Sequence, residues 1–236
     1  MNPVRIKVMS DDFLVFSLPC GVLQTDFLNQ YDFEYAVIIS PSVEADFHIR
    51  AYSKGKRLIT DNYAAAISAA AFLVLKRGLP LSEISFETPS GFTDVFCTDD
   101  GLFSLIIKKC KELCTKNIEL LGCEIEYTDV LVKNTVRVIK TKSIDNFDIS
   151  ALSAFLFAGD KLPAAVTLSS RYKEKLYVTL YDEFNSEPPT RLQCFAAAVY
   201  LENAALKEKI FFEDNVSYCI KDYSTLTVAA KPAVIE

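Results

Sequence analysis

Asn62 to Gly78 reads NYAAAISAAAFLVLKRG, and the fold turns on how this stretch is read. Alanine and leucine favour helix, and Lys76 with Arg77 suit the negative C-terminal end of a helix dipole. Gly78 follows as a residue free to take positive φ beyond the last turn. Thr60, Asp61 and Asn62 are each able to cap the N-terminus. The apolar residues cover nearly every face, which marks a buried helix rather than an amphipathic one. The apolar run of about 12 residues is too short for the roughly 20 needed to span a bilayer. The expectation is a helix sheathed by a sheet, with small alanine side chains letting strands come close.

A second copy follows in TRLQCFAAAVYLENAALK, Thr190 to Lys207, again alanine-rich and again opening on a capping residue, Thr190. FHIRAY precedes the first helix and LYVTLY the second; EISFETPSG and KIFFEDNVS come after them. Strand, loop, buried helix and strand, met twice, predict a two-fold internal repeat with its midpoint near Glu124 to Thr128. The expected domains are an N-terminal half, 1–125, and a C-terminal half, 126–236, with the last strand returning to the first.

At 236 residues and with half of them hydrophobic, the chain has ample material for a core. A net charge of −6 argues against a nucleic-acid partner, which asks for a basic face. KGKR, from Lys54 to Arg57, reads as a solvated turn. The start, MNPVRIKVM, carries no apolar h-region, so no signal peptide is expected. Seven scattered cysteines follow no framework spacing and fit a reducing cytoplasm. Cys110 and Cys114 could share one helical face, but no second pair and no nearby histidine completes a zinc site, so no metal is expected.

Strands are expected at Val4 to Val8 and Phe13 to Leu18, with Asp11-Asp12 as the turn between them. Gln24 to Asn29 reads as a short helix or loop. Further strands are expected at Tyr35 to Ser40, Asp46 to Tyr52, Ile84 to Glu87, Thr93 to Thr98 and Leu102 to Ile107, with a hairpin turn at Asp99-Asp100-Gly101. Ile125 to Thr141 holds two strands broken at Lys133-Asn134. Ser143 to Gly159 reads as a turn and a helix. Val166 to Ser169, Leu176 to Tyr181, Phe211-Phe212, Ser217 to Ile220 and Leu226 to Ala230 complete the strands. His48, the only histidine, lies in an alternating strand and reads as structural.

ADFHIRAYSKGKRLITDNYAAAISAAAFLVLKRGL followed by ISFETPSG resembles the first half of diaminopimelate epimerase. KNTVRVIKTKSIDNFDI and LYDEFNSEPPTRLQCFAAAV resemble stretches of its second half. The resemblance implies an α+β fold of two pseudo-symmetric halves. Each would be a curved, mostly antiparallel sheet wrapped around a central buried helix, with the site in the cleft. It also implies chemistry without a cofactor: one cysteine thiolate removes an α-proton and a second thiol returns one on the opposite face. Both cysteines sit at helix N-termini, where the dipole favours thiolate and free N–H groups hold a carboxylate. Family members often form homodimers, and a homodimer is the matching expectation here.

The family's reactive groups do not carry over. Its first catalytic cysteine falls on Asn62, and the glycine, asparagine and glycine after it fall on Tyr63, Ala64 and Ala65. The second cysteine falls near Pro189 or Thr190, while Cys194 matches a later, non-catalytic cysteine inside the core. The Gly-Asn-Pro-His strand becomes Lys133, Asn134, Thr135 and Val136. The substrate-binding Glu-Arg becomes Asp182-Glu183. The first-loop asparagine becomes Ser53, and an early asparagine becomes Asp11. Asparagine and proline carry no proton at neutral pH. The resulting expectation is a non-catalytic relative with a binding, partner or scaffold role, its partner a small carboxylate-bearing molecule or a protein, with no nucleic acid and no membrane. The alternative is a cofactor-independent isomerase of a small amino or hydroxy acid. Asp61, Asp182 and Glu183 would then replace the cysteines, and Asp11, Ser53, Asn62, Asn134 and Thr190 would line the cleft.

Overall fold

The computed structural model describes residues 3–19, 25–55, 57–59, 62–80, 83–108, 110–120, 123–141, 165–173, 175–178, 190–202, 208–223 and 225–235. Asp61, Asp182, Glu183 and the helix expected after Ser143 lie outside them. The chain divides into two compact units, Met1–Leu105 with Ala229–Glu236, and Ile106–Val228. Among the described residues no helix is long and apolar enough to cross a membrane.

The first unit is laid down as β1 (Val4–Val8), β2 (Asp11–Ser17), β3 (Tyr35–Pro41), β4 (Phe47–Ser53), β5 (Leu58–Ile59), α1 (Tyr63–Ala71), β6 (Glu83–Thr88), β7 (Gly91–Cys97) and β8 (Phe103–Ile107). β1 and β2 are antiparallel, β2 and β3 parallel, β3 and β4 antiparallel, β4 and β6 parallel, and β6 and β7 antiparallel.

All nine residues of α1 are buried, and the helix packs on β1, β2, β3, β4 and β7. Alanine at six of its nine positions allows this, because a bare methyl lets a strand approach at packing distance. The Ser68 hydroxyl donates to the Ala65 carbonyl at 2.8 Å. The helix runs on through a π-helical turn, Phe72–Lys76. It ends at Gly78, whose φ of +71° and the Leu79 N–H to Leu73 carbonyl bond make the expected left-handed C-terminal cap.

The outer face of the sheet is covered only in part. A 3-10 helix, Thr25–Gln30, brings Leu28 onto Leu14, Phe16, Ala36, Ile38 and Tyr52. That second cluster covers one face of β3 while α1 packs on the strand as well, which explains why its sequence, YAVIISP, does not alternate.

The second unit contains β9 (Lys111–Leu120), β10 (Cys123–Val132), β11 (Asn134–Lys140), β12 (Ala165–Tyr172), β13 (Lys175–Val178), α2 (Arg191–Leu201), β14 (Lys209–Phe211) and β15 (Tyr218–Asp222), followed by β16 (Thr225–Ala230). β17 (Ala233–Ile235) pairs with β1 of the first unit. From β10 to β15 the ladders run antiparallel, parallel, antiparallel, parallel, antiparallel. The order of senses is that of β1 to β7. α2 follows β13 as α1 follows β5, and it packs on β10, β11, β12, β13 and β15. Lys140 Nζ donates to the Leu201 carbonyl at 2.6 Å and Lys221 Nζ to that of Tyr200 at 2.5 Å, so two cations close the helix's negative end.

Two expectations from the sequence are corrected. Asp11 and Asp12 begin β2 rather than forming the turn, which falls at Met9 and Ser10 with Met9 at φ +56°. The strand tolerates Asp12 because the Arg5 guanidinium donates to its carboxylate at 2.7 Å. Cys110 and Cys114 share no helix: Cys110 is buried ahead of β9 and Cys114 lies within it. A strand rising about 3.3 Å per residue puts them some 13 Å apart along the chain.

Candidate functional site

Five of the expected site residues are described. Asn62 is the N-cap of α1, with extended backbone, and its Oδ1 accepts from the Ala65 N–H at 2.8 Å. Its Nδ2 is buried and has no hydrogen-bond partner among the described residues. Thr190, fully buried, is the N-cap of α2, and Gln193 Oε1 accepts both from the Thr190 N–H at 3.0 Å and from its hydroxyl at 3.1 Å. Asn62 and Thr190 therefore both carry side chains bound to their own helices. Cys194 is buried in α2.

The register row Phe13, Tyr35 and Ser53 crosses β2, β3 and β4. It brings Asp11 and Ser53 to the same end of the first unit's sheet, with Asp11 buried at the start of β2. Asn134 opens β11 opposite Val132, across a turn held by Lys133 at φ +64°. It belongs to the second unit, as does Thr190.

His48 sits on β4 between Ser40 of β3 and Glu87 of β6, its neighbours across the two ladders. Ser40 Oγ lies 3.3 Å from His48 Nδ1, and Glu87 Oε2 accepts from the Ser42 hydroxyl at 2.6 Å. Burial lowers the His48 pKa first, the Arg50 charge lowers it further, and Glu87 acts the other way. Ser40 is only 3% exposed, while His48 and Glu87 are half-buried.

Sequence reasoning missed a buried ion pair in the second unit. Arg137 Nε and Nη2 donate to Asp129 Oδ1 and Oδ2 at 2.7 and 2.9 Å, with both residues buried. The guanidinium also lies 4.1 Å from the Tyr127 ring centroid, and Cys114 Sγ is 3.7 Å from Asp129 Oδ2. Burial opposes the charge on Arg137, but the Asp129 carboxylate outweighs it and leaves the pKa raised. The signal was present: the turn at Lys133 fixes which residues of β10 and β11 face each other, and Asp129 faces Arg137.

Beside the same hairpin, a pocket of about 310 Å³ is lined by Glu112, Thr115, Glu124, Thr128, Lys140 and Leu201, among others. Thr115 and Thr128 hydroxyls meet at 3.0 Å, and Thr115 donates to Glu112 at 3.0 Å. Among the described residues no group of three or more His, Cys, Asp or Glu is arranged to hold a metal. Burial pushes the Cys110 thiol up to about 12 and raises Cys219 as well, so neither supplies a thiolate at neutral pH.

No family model and no curated protein matches the chain by sequence. Solved structures match it over nearly its whole length. The chain is similar to a phenazine biosynthesis protein of the PhzF family from Enterococcus faecalis, with TM-score 0.73, 13% identity, and 99% of this chain and 97% of that one covered. It is likewise similar to a PhzF-family phenazine biosynthesis protein from Bacillus anthracis, with TM-score 0.70, 12% identity, and 99% and 96% covered. A hydroxyproline epimerase from Agrobacterium vitis, solved with bound trans-4-hydroxy-L-proline, matches with TM-score 0.67, 9% identity, and 99% and 90% covered. The chain thus shares the mostly-sheet α+β fold of these structures.

Proposed function

We propose that this chain is a non-catalytic binding protein on the isomerase fold, holding a small carboxylate-bearing molecule without inverting it. The observation that carries the reading is Asn62. It stands where the resemblance to diaminopimelate epimerase puts the first catalytic cysteine, and its Oδ1 is spent on capping α1. Its buried Nδ2 is a donor with no partner among the described residues, at the positive end of a helix, and a ligand carboxylate oxygen would satisfy it. An amide donates a hydrogen bond there but does not take up a proton at neutral pH. Thr190, at the matching helix start, is engaged by Gln193. The matching order of ladder senses in the two units supports reading them as repeats, and the five described free cysteines fit a reducing cytoplasm.

A second reading draws on the fold shared with a hydroxyproline epimerase. In it Asp61, Asp182 and Glu183 move protons in place of the cysteines, and the chain is an isomerase. One experiment separates the two. Diaminopimelate, trans-4-hydroxy-L-proline and a panel of amino and hydroxy acids are incubated with the protein in deuterium oxide and followed by NMR, alongside thermal shifts. Saturable stabilisation by a panel member, lost in Asn62→Leu, with no deuterium at the α-carbon, is the expected result. Deuterium incorporation that depends on Asp182 or Glu183 overturns it in favour of the isomerase.

A further inference from the structure

Beyond the covered part of the first unit's sheet, β6 and β7 present a bare outer face. Alternation sends Glu83, Ser85 and Glu87 of β6 and Phe92, Asp94 and Phe96 of β7 to that side, while Ile84, Phe86 and Val95 are buried behind them. Phe92 is 57% exposed and Phe96 37%. Each phenylalanine faces a glutamate across the ladder: Phe92 opposite Glu87 and Phe96 opposite Glu83. Neither strand contains a lysine or arginine, and Arg50 lies on β4, on the far side of β6.

The stripe Phe92, Asp94, Phe96 repeats a spacing that the chain uses elsewhere. On β10, Tyr127 and Asp129 are likewise an aromatic and an acid two residues apart on one strand face. There Arg137 stands directly opposite the acid, forks onto it and lies over the ring. On β7 the residue directly opposite the acid is Ser85, whose hydroxyl donates to Asp94 Oδ1 at 2.8 Å. Among the described residues no cation lies over Phe92 or Phe96, whereas Phe72, Tyr127, Tyr172, Tyr200 and Tyr218 each have one.

We infer that this face docks an arginine-bearing segment of a partner protein, whose guanidinium groups sit beside Asp94 and over Phe92 and Phe96 as Arg137 sits beside Asp129 and over Tyr127. A carboxylate next to an aromatic face attracts a guanidinium by two routes at once, and both strengthen as the partner excludes water. The charge selects the occupant. A second copy seated through a two-fold axis would set these acids against themselves. Nucleic acid and anionic membrane are repelled by them. This inference stands apart from the ligand reading at α1.

The test is fluorescence anisotropy with a labelled peptide alternating arginine and valine, and with the same peptide carrying glutamate for arginine. The arginine peptide binds saturably and the glutamate peptide does not. Asp94→Lys and the double variant Phe92→Ser/Phe96→Ser each weaken binding at least about tenfold. Glu124→Lys, at the exposed start of β10, makes the same change of net charge and is expected to alter affinity less than about twofold. All substituted side chains are at least partly exposed, and far-UV circular dichroism checks that the variants fold. Equal losses in Asp94→Lys and Glu124→Lys overturn the inference, since overall acidity would then account for binding. So does unchanged affinity in the phenylalanine variant. A wild-type dimer in sedimentation that the phenylalanine variant disperses also overturns it and assigns the face to a second copy.

Discussion

Arg137 and Asp129 show what a charge pair costs once it is inside. Each is desolvated, and the bidentate fork and the Tyr127 ring offset that. Arg137→Met leaves a buried carboxylate without its cation, and urea unfolding should show a loss of about 3–5 kcal/mol. Asp129→Leu/Arg137→Met should recover most of it, because no uncompensated charge remains. His48 acts through pH. Its folded pKa lies below the ordinary 6.5, so the unfolded chain takes up the proton first as pH falls. The stability tied to neutral His48 is thus complete above pH 6.5 and fades as pH drops below it. The groups facing the ring are Ser40 on β3, Glu87 on β6 and Arg50 on its own strand. His48→Gln should flatten the decline in stability between about pH 7 and pH 5, measured as the difference from the unsubstituted protein.

Among the elements, α1 rests on its methyl groups. Ala70 is wholly buried in a helix touched by five strands, so Ala70→Leu forces them apart and should cost about 1–3 kcal/mol by urea unfolding. A variant of unchanged stability would mean that the sheath has room to give. The sequence made α1 and α2 readable because alanine-rich runs opening on capping residues, with a terminal glycine after α1, leave few other readings. β10 and β11 were readable from the break at Lys133. β9 was not. Most of its side chains are exposed on both sides, so no alternation marked it, and KKCKELCTK read as well for a helix. At the site, Asn62 and Thr190 were legible because capping is local chemistry. The Asp129–Arg137 pair became visible only with the ladder that joins them, although the register about Lys133 was implicit in the chain.

Across the whole molecule, stability should be unevenly spread, and the distribution of burial says where. In the first unit α1 has every residue buried. In the second unit β9 pairs with β10 and carries Lys111, Glu112, Leu113, Thr115, Lys116, Asn117 and Glu119 exposed. A bulge between Asp129 and Val130 interrupts that ladder, and Lys111 and Lys116 place charge along the edge strand, two devices that discourage further strand pairing. β9 is held by backbone hydrogen bonds and little packing, which is the signature of a segment that opens without global unfolding. Hydrogen exchange read by mass spectrometry should therefore find peptides from Lys111–Leu120 exchanging at least about a hundredfold faster than those from Tyr63–Ala71. Equal protection of the two would mean that β9 is covered in solution. It would then behave as part of the cooperative core rather than as an appendage to it.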